Sequence, residues 1–107
     1  MKGAYIGELE ELVLLTAVGL NDDAYGVAIV AEIENHTGRK INIGAIHTVL
    51  RRLESKGYVT SRLGGATNER GGRRKRIYTL TTSGLTILEE IYSIRTRLYQ
   101  KINPSRS

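Results

Sequence analysis

The sequence predicts an α+β, mainly α fold of the winged helix-turn-helix type, on three observations. A helix with one clean polar face runs from Ile43. Two short strands follow it, YVTSRL and RIYTL, joined by the arginine-loaded glycine loop GGATNERGGRRK. Two shorter helical segments come before this unit and one long helical segment after it.

Glu8 to Leu20 reads as the first helix. Leu9, Leu12, Val13, Leu15 and Leu20 favour one face, and Glu8, Glu10 and Glu11 occupy the first turn, where the helix dipole favours acids. Asn21-Asp22-Asp23 is a turn and capping cluster. The second helix spans about Tyr25 to Thr37 with Val30 and Ile33 inward, and Gly38 stops it by taking the left-handed conformation. Arg39 to Ile43 is short and β-branched and reads as a minimal strand. Asn42 caps the third helix through its side-chain oxygen.

On the third helix Ile43, Ile46, Val49, Leu50 and Leu53 form the apolar stripe, and Gly44, His47, Thr48, Arg51, Arg52 and Ser55 form the opposite face. Gly57 ends this helix. In the hairpin Val59, Leu63, Tyr78 and Leu80 are expected on the core face. Thr81 caps a fourth helix reaching about Ile102, ahead of Pro104. Ile87, Ile91, Ile94 and Leu98 follow the four-three-four spacing of a seam between paired helices. Leu85, Leu88 and Tyr92 lie to one side and anchor the helix to its own domain. The expected division is a winged helix-turn-helix domain over residues 1–81 and a dimerisation helix with its tail over residues 82–107.

The chain has 107 residues, 40% hydrophobic and 25% charged, which suits one globular domain with a modest core. It has no Cys, hence no disulfide frame, thiolate zinc site or thiol nucleophile. The start MKGAYIGELEE lacks an apolar signal core, and no apolar run approaches membrane-spanning length. A cytoplasmic protein with no membrane association is expected. Net charge is +5, unevenly spread. Residues 1–57 carry 6 Lys/Arg against 8 Asp/Glu, whereas residues 58–107 carry 10 against 3. The positive charge therefore lies in the hairpin and the C-terminal segment, where phosphates can meet it.

A helix that reads a groove needs small residues near its start and donors one and two turns on. Gly44 and Ala45 supply the first; His47, Thr48, Arg51 and Arg52 supply the second. Arg forks onto guanine O6 and N7, and Thr48 can donate to phosphate or touch a thymine methyl. The alternative is a merely solvated face, and Arg52 has Glu54 or Glu34 as rival partners. In the wing, Arg70, Arg73, Arg74, Lys75 and Arg76, with Arg62 at its base, would neutralise phosphates without reading sequence. The alternative there is a soluble loop whose charges prevent edge pairing. Helix and wing in this order favour DNA.

His36 and His47 have no further metal ligands nearby, and Ser55, Ser61 and Ser83 lack a His–acid arrangement. GGATNERGG is not a P-loop, since no G-K-[ST] follows it. Neither an enzyme, a metal site nor a cofactor is expected.

Over roughly residues 8 to 90 the sequence resembles the PadR family of bacterial transcriptional regulators. The family's apolar first helix corresponds to LEELVLLTAVGL, and its H-G-Y segment to Tyr25-Gly26-Val27. Its recognition-helix pattern meets GAIHTVLRRLESKGYV, with Gly44, Ile46, Leu50, Arg52, Leu53, Glu54, Gly57 and Val59 matching. The end of its wing is matched by Gly72, Arg73, Lys75, Arg76, Tyr78, Leu80, Thr81 and Gly84. His47 and Thr48 stand where the family usually has Tyr and Pro, and Val27 replaces the Tyr of H-G-Y.

The resemblance implies the short form of the family, in which one C-terminal helix builds a two-fold dimer. It further implies a repressor bound to a pseudo-palindromic operator in double-stranded DNA, and a small-molecule effector near the dimer interface. Some short members hold flat aromatic drugs with a tryptophan on that helix. This chain has neither Trp nor Phe, and Tyr5, Tyr92 and Tyr99 are read as core or interface packing. Two other readings stay open at this point: a winged helix that docks an acidic protein partner, and a small-molecule binding protein without a primary DNA role.

Overall fold

The computed structural model describes residues 6–64 and 75–102. The order is α1 (Glu8–Leu20), a 3₁₀ turn (Asn21–Asp23), α2 (Gly26–Thr37), α3 (Ile43–Ser55), β1 (Val59–Leu63), β2 (Arg76–Leu80) and α4 (Thr82–Ile102). All four expected helices and both wing strands are present.

Helices α1, α2 and α3 pack on one another, β2 lies against α1 and the 3₁₀ turn, and α4 packs on α1 and β2. One core joins them: Val13 and Leu14 of α1, Ile29 and Ile33 of α2, Ile46, Val49, Leu50 and Leu53 of α3, Val59 and Tyr78 of the hairpin, Ile87 and Leu88 of α4. Of the α1 residues expected on one face, Val13 is buried and Leu9, Leu12 and Leu20 flank the core. Val13, Leu14 and Ala17 point inward, while Leu15 is 51% exposed. In α2, Ile29 is buried with Ile33, and Val30 only flanks the core. Ile43 lies at the rim of the α3 stripe and is exposed.

Local chemistry sets the ends of these elements. Asn42 Oδ1 accepts from the N–H groups of Gly44 (2.6 Å) and Ala45 (3.3 Å), satisfying two otherwise unpaired donors of α3. Gly38 ends α2 in the left-handed region, φ 73°. Thr81 Oγ1 accepts from Gly84 N at 3.1 Å and donates to the Gly57 carbonyl at 2.7 Å, so the cap of α4 also ties it to the turn after α3.

The expected minimal strand at Arg39–Ile43 does not form; the sheet has two strands. Side chains at the end of α2 take the backbone donors of this linker instead. Ile41 N donates to Glu34 Oε2 at 2.8 Å and Arg39 N to Thr37 Oγ1 at 3.1 Å. On β2, Tyr78 N donates to the Ala24 carbonyl at 2.9 Å.

β1 and β2 are antiparallel, pairing Val59 with Leu80, Ser61 with Tyr78 and Leu63 with Arg76. Val59 and Tyr78 are buried and Leu80 flanks the core. Leu63 shares their face but is 50% exposed.

α4 differs most from expectation. Its anchor is Gly84, Ile87, Leu88 and the flanking Ile91. Leu85 and Tyr92, expected to anchor it, are exposed, Tyr92 at 72%. Ile87 was expected in a seam toward a second protomer; it is 2% exposed and sealed inside its own core. Beyond Ile94 the apolar side chains Leu98, Tyr99 and Ile102 are exposed. The molecule measures 54 × 30 × 21 Å with a radius of gyration of 15.6 Å. A compact chain of this length has about 13 Å, so α4 extends the body.

Candidate nucleic-acid interface

α3 is backed by a fully packed face, with Ile46, Leu50 and Leu53 inaccessible to solvent. At about 3.6 residues per turn, the side diametrically opposite carries Gly44, Thr48, Arg51 and Ser55, all exposed. A helix locked on one side and bare on the other can enter a groove without rearranging.

Gly44 lies so close to the Asn42 cap that a Cβ there would sit 2.9 Å from Asn42 Oδ1. A side chain at this position would make the Asn42 carboxamide shift, so the glycine that keeps this surface low also leaves the cap undisturbed. Thr48 donates its hydroxyl to the Gly44 carbonyl at 3.1 Å. Its methyl group and a hydroxyl lone pair remain, which suits a thymine methyl better than a phosphate acceptor.

Ala45 and Arg52 lie on one flank of α3, His47 and Glu54 on the other. Arg52 is exposed and makes no salt bridge among the described residues, neither with Glu54 nor with Glu34. Its charge is felt instead by Glu10 on α1. His47 is exposed, yet its ring leans on the start of α2. A Cβ at Gly26 would lie 3.1 Å from His47 Nε2. The glycine of the Tyr25-Gly26-Val27 segment thus lets α2 and α3 approach.

Of the six wing cations, Arg70, Arg73 and Arg74 lie outside the described residues. The other three have structural partners that the sequence did not reveal. Arg62 Nη2 is 3.7 Å from Asp22 Oδ1 on the 3₁₀ turn. Lys75 Nζ stands 4.1 Å above the Tyr25 ring, a cation–π contact that holds the wing base against α2. Arg76 Nη1 donates to Ser61 Oγ at 3.0 Å, and Ser61 Oγ donates to Glu54 Oε2 at 2.8 Å. That chain links both wing strands to the last turn of α3.

Tyr78 sits beside it. Burial, then the Glu54 carboxylate, push its hydroxyl above the usual tyrosine value, against the opposing charges of Arg76 and Arg51. Arg51 of the helix and Arg76 of the wing both lie near enough to Tyr78 for their charges to oppose that rise. Strand pairing brings Ser61 opposite Tyr78; the strand patterns tell which residues face the core, but neither this register nor the reach of Glu54 to Ser61.

A one-sided helix, a capped glycine start and a cationic hairpin tied to the same helix define a winged helix-turn-helix regulator that binds DNA. Residues 14–90 match the model of the Transcriptional regulator PadR-like family, and the chain belongs to that family. A PadR-like transcriptional regulator from Bacillus cereus superposes with a TM-score of 0.72 at 21% identity, covering 90% of this chain and 88% of its own. A PadR family transcriptional regulator from Eggerthella lenta gives 0.67 at 29% identity, covering 91% and 84%. Bacillus subtilis PadR, in a structure with operator DNA, gives 0.64 at 23% identity, covering 79% of this chain and 46% of that one. No curated protein matches the sequence.

Proposed function

We propose that this PadR-like regulator acts as a homodimer on a pseudo-palindromic operator in double-stranded DNA, with repression as its output. Each α3 enters a major groove, the pair about one DNA turn (~34 Å) apart. The carrying observation is the bare polar face of α3, with Gly44, Thr48 and Arg51 along its centre and a sealed apolar face behind it. Arg51 reads a base edge, Thr48 a thymine methyl, and Arg52 and His47 hold the flanks. Arg76, Lys75 and Arg62, with Arg70, Arg73 and Arg74 of the wing loop, neutralise neighbouring phosphate.

The dimer is assembled through the outer half of α4. Of the seam expected from the sequence, Ile94 and Leu98 remain available, while Ile87 is buried in its own protomer and Ile91 flanks that core. Leu85, Tyr92 and Tyr99 recur every seven residues on the exposed side, and Ile102 continues the apolar surface. An effector seated against this helix would alter the separation of the two reading heads and release DNA. Both the repressor sign and the effector rest on likeness to the family.

Salt dependence tests the reading. If three basic side chains per protomer meet phosphate, a dimer neutralises about six, and log affinity should fall against log salt with a slope near −5. A slope near zero for the folded dimer on any duplex would overturn it.

A further inference from the structure

The first turn of α1 carries three carboxylates, and each holds a base from a different segment. Glu8 Oε1 meets Arg39 Nη1 at 3.2 Å, in the linker before α3. Glu10 Oε2 meets Lys56 Nζ at 3.0 Å, directly after α3. Glu11 takes a two-pronged fork from Arg95 of α4: Nη2 to Oε1 at 2.8 Å and Nε to Oε2 at 3.2 Å. Adjacent residues on one helical turn therefore grip the end of the reading helix and the outer half of α4.

The fork has a mechanical position. The apolar anchor of α4 on its own body ends at Ile91, and past the partly buried Ile94 the helix has only exposed apolar residues to offer. Among the described residues, Arg95 is the farthest side chain along α4 that bonds back to the body. A bidentate guanidinium–carboxylate pair fixes direction as well as distance, since both groups are planar. The Glu11 side chain is only 16% exposed, so its end of the fork is firmly seated.

We propose that the Glu11–Arg95 fork is the positioning contact that sets the angle of α4 against the reading head, and through it the operator half-site spacing the dimer accepts. This rests on the dimeric DNA-binding reading above. Ile91 to Ile102 spans about 16 Å of helix. A swing of about 10° at Ile91 moves the far end by about 3 Å, close to the ~3.4 Å rise of one base pair. Loss of the fork leaves each head intact and frees the separation between the heads.

The test uses the full chain and its Arg95→Gln and Glu11→Gln variants. Half-sites selected by the wild type from a random duplex pool are rejoined with spacers lengthened or shortened by one or two base pairs. The wild type should prefer its own spacer over a one-base-pair shift by about tenfold, a step comparable to one mismatched base pair. Both variants should flatten this preference to about threefold or less, and the double variant should add nothing further, because the two changes remove one shared contact. Affinity for an isolated half-site and dimer mass in ultracentrifugation should stay at wild-type values.

Wild-type spacing preference retained in Arg95→Gln, or a dimer that dissociates in that variant, would overturn the positioning role. A wild type that selects no duplex at all would overturn the dimeric DNA-binding reading itself.

Discussion

Glu10 is 7% exposed, a costly place for a charge unless both oxygens are occupied. Here Oε1 accepts from Gly7 N at 2.8 Å and Oε2 from Lys56 Nζ at 3.0 Å. Burial alone would raise its pKa. The Gly7 N–H, the Lys56 bond and the charges of Lys56 and Arg52 outweigh it and hold the carboxyl below its ordinary value. A carboxylate whose pKa is depressed by folding contributes stability above its unfolded pKa and loses it as pH falls through the folded one. Glu10→Gln should therefore be less stable than wild type at pH 7 by about 1–3 kcal/mol, and the gap should close on acidification below the ordinary carboxylate range. Urea titrations at several pH values check this; a gap constant from neutral to strongly acidic pH would contradict it. On the DNA face, Arg51→Ala and Thr48→Ala should each lose about 1–3 kcal/mol of preference for the selected operator over other duplexes. An equal loss on all duplexes would reassign them to backbone grip. Asn42 was identifiable as a cap by its type and place ahead of an apolar run. The partners of Glu10 and Glu11 were not, since Lys56 and Arg95 lie 46 and 84 residues away in sequence.

At the scale of elements, α3 was legible because its two faces differ so sharply that a periodicity of about 3.6 assigns them. α1 and α4 were less so. Each has apolar residues on more than one side, and periodicity cannot choose which of them meets the body. In α4 the choice is made by Gly84. A Cβ there would run into the Tyr58 carbonyl oxygen, which already accepts from Thr81 N at 3.0 Å. That close approach turns Ile87 and Leu88 inward and leaves Leu85 and Tyr92 outside. Gly84→Ala should cost about 1–3 kcal/mol as an overpacked contact against rigid backbone, measured as a fall in denaturant midpoint. Wild-type stability in that variant would mean that α4 docks loosely. The wing strands followed their alternation except that Leu63, on the core face, is exposed.

Across the whole molecule, 54 Å of length against 21 Å of thickness reflects an α4 that outreaches its own core. Exposed Leu98, Tyr99 and Ile102 at that end are what a partner helix would cover. Leu98→Glu combined with Tyr99→Glu should give a folded monomer by sedimentation equilibrium, with DNA affinity falling toward that of one half-site. An unchanged dimer would remove this end of α4 from the interface. Ile91 is a poor site for the same test, because it flanks the protomer core and a charge there would damage folding as well.

By itself the sequence determined the element order, the division of α3 into a polar and a buried face, its Asn42 cap and the concentration of positive charge in the second half, because each depends on neighbours within a few residues. Tertiary structure alone decided which stripe of α1 and α4 is buried, how Glu54, Ser61 and Arg76 join helix to wing, and how three acids of one turn brace three distant segments. Those outcomes depend on which surfaces meet when the helices pack. Helices with several apolar faces leave that selection to a close backbone contact and to ion pairs spanning much of the chain.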